Sequence, residues 1–506
     1  MKKKQWIHIV PHSHWDREWY FSQEDSNILL VENLDYLIET LEKDEIFLSY
    51  TFDGQLSVIE DYLQVRPENK QRLQKLIAQK RILIGPWYTQ SDSRIVHKEA
   101  LIRNLFYGIK LGDAMGGSMG VGYLPDAFGQ NAYLPSIFQN LGIRHLVFQR
   151  GVYDDQLGGN LNLHWVSPDG VGIKANNLYL GYGPGKFLTS EEAYIQNQLH
   201  PMLDKLSALG GDTGHLVLPS GGDQVLVKKN LPNIVQELNQ KDAEYAYRLS
   251  DYPTYFEAIE KEALVAATVQ GELIATQKSR VHRTIASQRI DIKQLNYQVE
   301  HLLIHILEPL AVIGQHFGLV YPQTWLDKAW KLLFDVDAHD SICGCNSDDT
   351  NRDIKHRLHQ IHRMASNLIL IIKKQITHSI AQTLENQEVF TVFNLLPKVS
   401  QTPLSVTLFS RANKFGIRDL AGKSVAFEVV EQTYVSGGKT VVVTANGEQE
   451  REIEGYYRTV VQLLDVSVPA IGWTTFCMVE SDKEMVVPLL QKAKSIENEQ
   501  YKICVK

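Results

Sequence analysis

An α/β catalytic region followed by helices and then a β-rich region is the fold class this sequence predicts, and three observations predict it. In the first half, short apolar runs alternate with polar or Gly/Pro residues and helical stretches, the pattern of βα units. From about Ser287 the apolar residues Leu295, Val299, Leu302, Ile306 and Leu310 recur at intervals of three and four, the period of an amphipathic helix. After about Glu388 short β-rich runs are punctuated by Gly437-Gly438 and Asn446-Gly447, as in an antiparallel β domain.

The apolar runs of the first half are Trp6 to Val10, Phe47 to Thr51, Ile82 to Gly85, Gly120 to Leu124, His145 to Phe148 and His215 to Leu218. Continuous apolar runs suit parallel strands buried on both faces, and right-handed crossovers place their C-terminal ends on one rim. A polar cluster follows each run: His12 to Asp16, Asp53 to Gln55, Gln90 to Asp92, Asp126, Arg150 and Asp223. Such clusters point to a barrel or open sheet with its active site on that rim. Helical stretches at Trp325 to Leu333 and Asp353 to Lys374, joined by a loop holding His339, extend a helical bundle. Strands are expected at Val389 to Leu396, Leu404 to Leu408, Lys439 to Val443, Tyr457 to Leu464 and Thr474 to Val479. The predicted domains are 1–265, 266–380 and 381–506.

At 506 residues the chain is too long for one core and suggests about three units at roughly 150 residues each. The 44% hydrophobic and 22% charged composition is that of a globular protein. No apolar run approaches the ~20 residues of a membrane span, so no membrane association is expected. A net charge of −8 without a basic face argues against nucleic acid as partner. Met1 to Lys4 is basic, but Gln5, His8, Pro11 and His12 interrupt any signal-peptide core. Together with only four cysteines, this predicts a cytoplasmic protein in a reducing compartment.

The i, i+2 spacing of His14 and Asp16 at a strand end turns both side chains to one side, where they could share a cation. Imidazole plus carboxylate is a zinc-like donor set, although both could be ordinary rim residues, and His12 could be a ligand or could orient its neighbours. Asp126 follows an apolar strand beside Pro125 and Gly129, and Asp223 sits in a Gly221-Gly222 turn. Alone, the first reads as a helix cap and the second as a turn residue; as a pair, two carboxylates suit glycoside hydrolysis. His339-Asp340 adds a second His-Asp pair. Cys343 and Cys345 could ligate metal, and Trp19 and Trp87 could stack on sugar or serve the core.

Taken together, HSHWDREWY (His12 to Tyr20), GPWYTQSD (Gly85 to Asp92), GYLPDAFGQ (Gly122 to Gln130), FQRGVY (Phe148 to Tyr153), RVHRTIASQR (Arg280 to Arg289) and AHDSICGC (Ala338 to Cys345) resemble glycoside hydrolase family 38, the α-mannosidases. The resemblance implies a seven-stranded α/β barrel, a three-helix bundle and the start of a β-sandwich region. It implies Zn²⁺ or another divalent cation at His14, Asp16, Asp126 and His339, with Asp126 also the nucleophile of a retaining reaction. By the same resemblance Trp19 packs on the reacting sugar, Arg150 and Asp340 contact substrate or nucleophile, and Asp223 is the acid/base.

DREWYF, GPWYTQSD and ENK after VRP look most like bacterial mannosylglycerate hydrolases, implying 2-O-α-mannosyl-D-glycerate or its 6-phospho form as substrate. α-1,3- or α-1,6-mannosidase action on oligosaccharides is the alternative, and assembly as a homo-oligomer is compatible with either. Family members run further through large β domains, so an incomplete C-terminal β region is expected, and with it the alternative of an inactive carbohydrate-binding fragment. His-x-His after a first strand also opens the metal-dependent amidohydrolases, the enzymatic rival.

Overall fold

The computed structural model describes residues 4–262, 267–276, 283–384, 388–481, 495–497 and 499–504. Arg280, Val281 and His282 of the Arg280 to Arg289 segment lie outside them, as does the expected boundary at 265–266. The chain divides into two compact units, Met1–His301 with Thr324–Met364, and Leu302–Gln323 with Ala365–Lys506.

The first unit is α/β. Its strands are β1 (Trp6–Ser13), β2 (Tyr50–Phe52), β3 (Ile82–Leu83), β4 (Val121–Leu124), β5 (His145–Phe148), β6 (Asn162–Val166), β7 (Gly172–Asn177), β8 (His215–Ser220), β9 (Ala246–Leu249) and β10 (Ala267–Gln270). One all-parallel sheet runs β3-β2-β1-β8, with β9 also pairing with β1 over Trp6 to Ile9. The other runs β10-β6-β7-β5-β4 and is parallel except at β6/β7.

Side-chain alternation along β1 explains how the sheets are filled. Ile7 and Ile9 pack with Leu30, Leu34, Leu37 and Leu41 of the helix Gln23–Lys43, whose apolar residues recur every three or four positions. Val10 turns to the opposite face and joins Val121, Tyr123, Val147 and Val217, so that this cluster draws on strands of both sheets. Among the described residues no ladder joins the two sheets into one closed seven-stranded barrel; a backbone bond from Met119 N–H to Ile84 O, 2.8 Å, links the margins of β4 and β3.

The second unit pairs a π turn, Leu302–Leu307, with the helix Glu308–His316. Pro309 has no N–H for an ordinary helical bond and its ring crowds the turn before it, which accounts for the wider π turn there. Two three-stranded antiparallel sheets follow. One is β11 (Val389–Asn394), β18 (Gly472–Glu480), β13 (Phe415–Asp419); the other is β12 (Leu404–Ser410), β17 (Tyr456–Leu463), β14 (Phe427–Val435). Both contribute to one apolar core including Leu408, Ile417, Val461 and Phe476, with the rings of Phe415 and Phe427 stacked at 5.7 Å. A hairpin of β15 (Lys439–Thr444) and β16 (Gly447–Glu452) turns at Ala445-Asn446, just before Gly447. Among the described residues no helix is long and apolar enough to cross a membrane.

Candidate metal centre and active site

The site lies in the first unit, at the C-terminal ends of its strands. Past Ser13 the chain keeps pairing with the glycine turn after β8: His14 N–H donates to Gly222 O at 2.9 Å, and Gln224 N–H donates to His14 O at 2.8 Å. Glycine is required at 221, where a Cβ would collide with the His12 carbonyl. The extended backbone turns His14 and Asp16 to one side, and His14 Nε2 lies 3.1 Å from Asp16 Oδ1.

His339 enters from the helical part of the sequence. It opens the short helix His339–Cys343, and its N–H donates to Gln90 O at 2.9 Å beyond β3. Its Nε2 lies 3.6 Å from Asp16 Oδ1 and 3.4 Å from Asp126 Oδ2. One ligand-type atom each from His14, Asp16 and His339, all three residues buried, lies within 4.8 Å of the other two. Asp126 adjoins this trio through His339.

The hydrogen bonding around this trio tests whether a cation fits. His14 Nδ1 meets Asp53 Oδ1 at 3.3 Å and His339 Nδ1 meets Gln90 O at 3.3 Å. A carboxylate and a carbonyl only accept, so each Nδ1 carries a hydrogen, and a ring that gives up its other proton to a cation presents a lone pair at Nε2. Both Nε2 atoms and Asp16 Oδ1 are buried without a hydrogen-bond partner. Lone pairs and carboxylate oxygens facing one another repel unless positive charge lies among them. Burial opposes a charged His14, yet Asp16 and Asp53 outweigh it and hold its pKa well above 6.5. Burial likewise opposes charge on His339, but Asp340, Asp126 and Asp16 raise it to about 9. The pocket therefore favours positive charge, and its N/O donors fit Zn²⁺ or a similar divalent cation.

Asp126 follows β4 and Arg150 follows β5. Arg150 Nε donates to Asp126 Oδ1 at 3.1 Å, and a second nitrogen of the guanidinium bonds the same oxygen. Burial resists ionisation of Asp126, but the nearby His339 ring and the Arg150 charge prevail and hold its carboxyl well below the usual range. Asp340 Oδ2 lies 3.8 Å from His339 Nε2. Burial pushes the Asp340 carboxyl well above its ordinary range; His339 opposes the shift, and Asp16 and Asp126 reinforce it.

Asp223 is exposed in its glycine turn and accepts from the Tyr182 hydroxyl at 2.9 Å. Tyr182 escaped the sequence reading. Its ring lies 5.3 Å from that of His14, and its carbonyl takes His12 Nε2 at 2.5 Å. Its only sequence signal is the glycine-rich Gly181 to Gly185 loop shortly after β7. His12 lies outside the converging trio; burial lowers its pKa to about 4, so it is a neutral ring bracing the Tyr182 loop.

Trp19 is partly exposed beside Tyr20, ring centroids 4.7 Å apart. Trp87, by contrast, is a core residue: it is fully buried and its indole N–H donates to Tyr123 O at 3.0 Å. Cys343 is buried with its thiol 3.5 Å from Asp92 Oδ2, and neither it nor Cys345 joins the trio.

Comparison with known proteins identifies the family. Residues 4–283 match the glycosyl hydrolases family 38 N-terminal domain, and residues 280–376 match the alpha mannosidase middle domain. A protein of Halalkalibacterium halodurans named "Putative mannosylglycerate hydrolase" is 32% identical over 400 residues, which are 76% of this chain and 44% of that protein. Human alpha-mannosidase 2C1 is 22% identical over 355 residues, 67% of this chain and 32% of that one. The crystal structure of an alpha-mannosidase from Enterococcus faecalis superposes with a TM-score of 0.86 at 25% identity, covering 99% of this chain and 60% of that one. The chain thus spans about half the length of the relatives it matches. More than half of its residues carry the family's N-terminal-domain pattern: the chain belongs to glycosyl hydrolase family 38.

Proposed function

We propose that this chain is the catalytic part of a divalent-cation-dependent, retaining α-mannosidase acting on a small α-mannoside, 2-O-α-mannosyl-D-glycerate or its 6-phospho form. The observation that carries the reading is the convergence of His14 Nε2, Asp16 Oδ1 and His339 Nε2 with the Asp126 carboxylate beside them. The name of the bacterial relative supports the choice of aglycone.

In this reading His14, Asp16, Asp126 and His339 hold the cation, which supplies Lewis-acid binding of sugar hydroxyls. Asp126 is ionised at neutral pH because Arg150 and His339 stabilise its charge. Its carboxylate attacks the anomeric carbon as the glycosidic C–O bond breaks, and the departing oxygen takes a proton from Asp223. The product is a mannosyl ester of Asp126. Asp223, now ionised, removes a proton from a water that attacks the same carbon, releasing mannose with retained configuration and freeing Asp126. Tyr182 holds Asp223 by its hydroxyl, and Trp19 offers an aromatic face to the sugar.

Hydrolysis of an aryl α-mannoside by the purified chain, with and without chelator, tests the reaction class. Proton NMR of the first-formed sugar tests its stereochemistry. Cation-dependent release of the α-anomer is expected; release of the β-anomer, or turnover indifferent to chelation, would remove the proposal.

A further inference from the structure

Beyond the residues assigned so far, Asp53 and Gln90 form a buried bracket behind both histidines. Asp53 follows β2 and is fully buried. Its Oδ1 receives Gln90 Nε2 at 2.8 Å and faces His14 Nδ1; its Oδ2 receives Trp15 N–H at 3.1 Å and Gln55 Nε2 at 2.7 Å. Gln90 takes part twice, because its side-chain NH₂ braces Asp53 while its backbone carbonyl accepts the N–H of His339 and faces His339 Nδ1. Gln55 closes the ring by accepting Gln90 N–H at 3.0 Å.

The local backbone is shaped for this arrangement. Asp53 adopts φ 58°, a left-handed conformation unusual for a non-glycine residue. At Gly54 a Cβ would stand 2.6 Å from Gln90 Nε2, so any larger residue would displace the amide that braces Asp53. Four donors converge on one buried carboxylate, more than packing alone requires, and the bracket ends at the outward nitrogen of each imidazole.

We propose that Asp53, braced by Gln90, is the positioning residue that sets the ring and tautomer of His14 for cation binding, while the Gln90 carbonyl does the same for His339. This rests on the cation reading above. The carboxylate fixes hydrogen on Nδ1, aims the Nε2 lone pair at Asp16 and makes that lone pair a stronger donor. An amide in place of the carboxylate would keep the volume, lose the charge and turn an NH₂ group toward donors that expect oxygen.

The test is Co²⁺ binding by the metal-free 506-residue chain, measured by chelator competition and by the visible absorption of bound Co²⁺. Asp53→Asn is expected to weaken Co²⁺ binding roughly 10- to 100-fold and to alter the band shape, with a near-wild-type far-UV spectrum. Gln90→Met removes one brace and leaves Asp53 in place; it is expected to weaken binding by a smaller factor and remains informative should Asp53→Asn fail to fold. Wild-type Co²⁺ affinity and spectrum in either folded variant would overturn the inference, whatever happens to turnover. Failure of the wild-type chain itself to bind Co²⁺ would overturn the cation reading and this inference with it.

Discussion

Arg150 grips Asp126 through Oδ1 alone, leaving Oδ2 as the oxygen that faces His339. The guanidinium thus fixes the rotation of the carboxylate and stabilises its charge, two effects that a lysine cannot both reproduce. Arg150→Lys should reduce kcat by about 10- to 100-fold, and Arg150→Ala by about 1000-fold. Because Arg150 holds the Asp126 carboxyl down, its loss should also move the acid limb of the kcat/KM profile to higher pH. A full pH series on both variants decides; an unmoved acid limb would separate Arg150 from Asp126 ionisation.

A different signature is expected for Asp223, which stands exposed with its hydrogen bond from Tyr182. If it donates the proton to the departing oxygen, its value depends on how much that oxygen needs one. Asp223→Asn should slow an alkyl mannoside by about 100- to 1000-fold and a dinitrophenyl mannoside by less than about tenfold. Measuring both substrates on one preparation cancels differences in active fraction. Equal losses would move the acid/base role to another group.

Why some of this was legible in the sequence and some was not follows from burial. β1, β4 and β8 are covered on both faces, so they read as mainly apolar runs, and the clustering acids and histidines fall just beyond them. β6 and β7 escaped because polar residues sit inside them: Asn176 is buried and donates to Asn162 Oδ1 at 2.9 Å, a core contact that hydropathy cannot register. Asp16 was legible through its spacing from His14. The meeting of His339 with Asp16 was not, since more than three hundred residues separate them and only the family resemblance joined the segments. Tyr182 has only the glycine-rich loop around it as a signal, because its role comes from a carbonyl and a hydroxyl that the loop presents.

Away from the site, Glu300 and Asp337 form a buried acid pair that should make stability depend on pH. Glu300 accepts the His97 N–H at 2.7 Å, and Asp337 accepts from Asn296 Nδ2 at 3.1 Å. Burial raises Glu300 from 4.5 to about 7, and burial with the Glu300 charge pushes Asp337 well above the carboxylate range. The folded state therefore holds the Glu300 proton more tightly than the unfolded one. Its stabilisation is fully present below pH 4.5 and is lost as pH rises through about 7. Glu300→Gln keeps an acceptor for His97 and removes this titration. Urea unfolding at pH 5 and pH 8 should show a pH difference smaller by about 1–3 kcal/mol in the variant; an unchanged difference would mean the pair does not titrate in this window.

Cation binding should also be visible without any substrate. The proposed ligands come from the segment just past β1, the turn two residues past β4 and the helix His339–Cys343, so a bound ion ties together three segments that must separate when the site opens. Linkage gives about 2.7 kcal/mol of added resistance to such opening at a free ion concentration 100 times Kd, or roughly 100-fold slower exchange of amides released by that opening. His14 N–H and His339 N–H, bonded to Gly222 O and Gln90 O, are the expected reporters. Amides of β12 and β17, paired within the second unit, are the internal control. Hydrogen exchange with Zn²⁺ and then chelator should therefore slow and restore exchange at the reporters while leaving the control unchanged. Equal slowing in both units would indicate nonspecific binding, and no slowing at His14 or His339 would place the ion elsewhere.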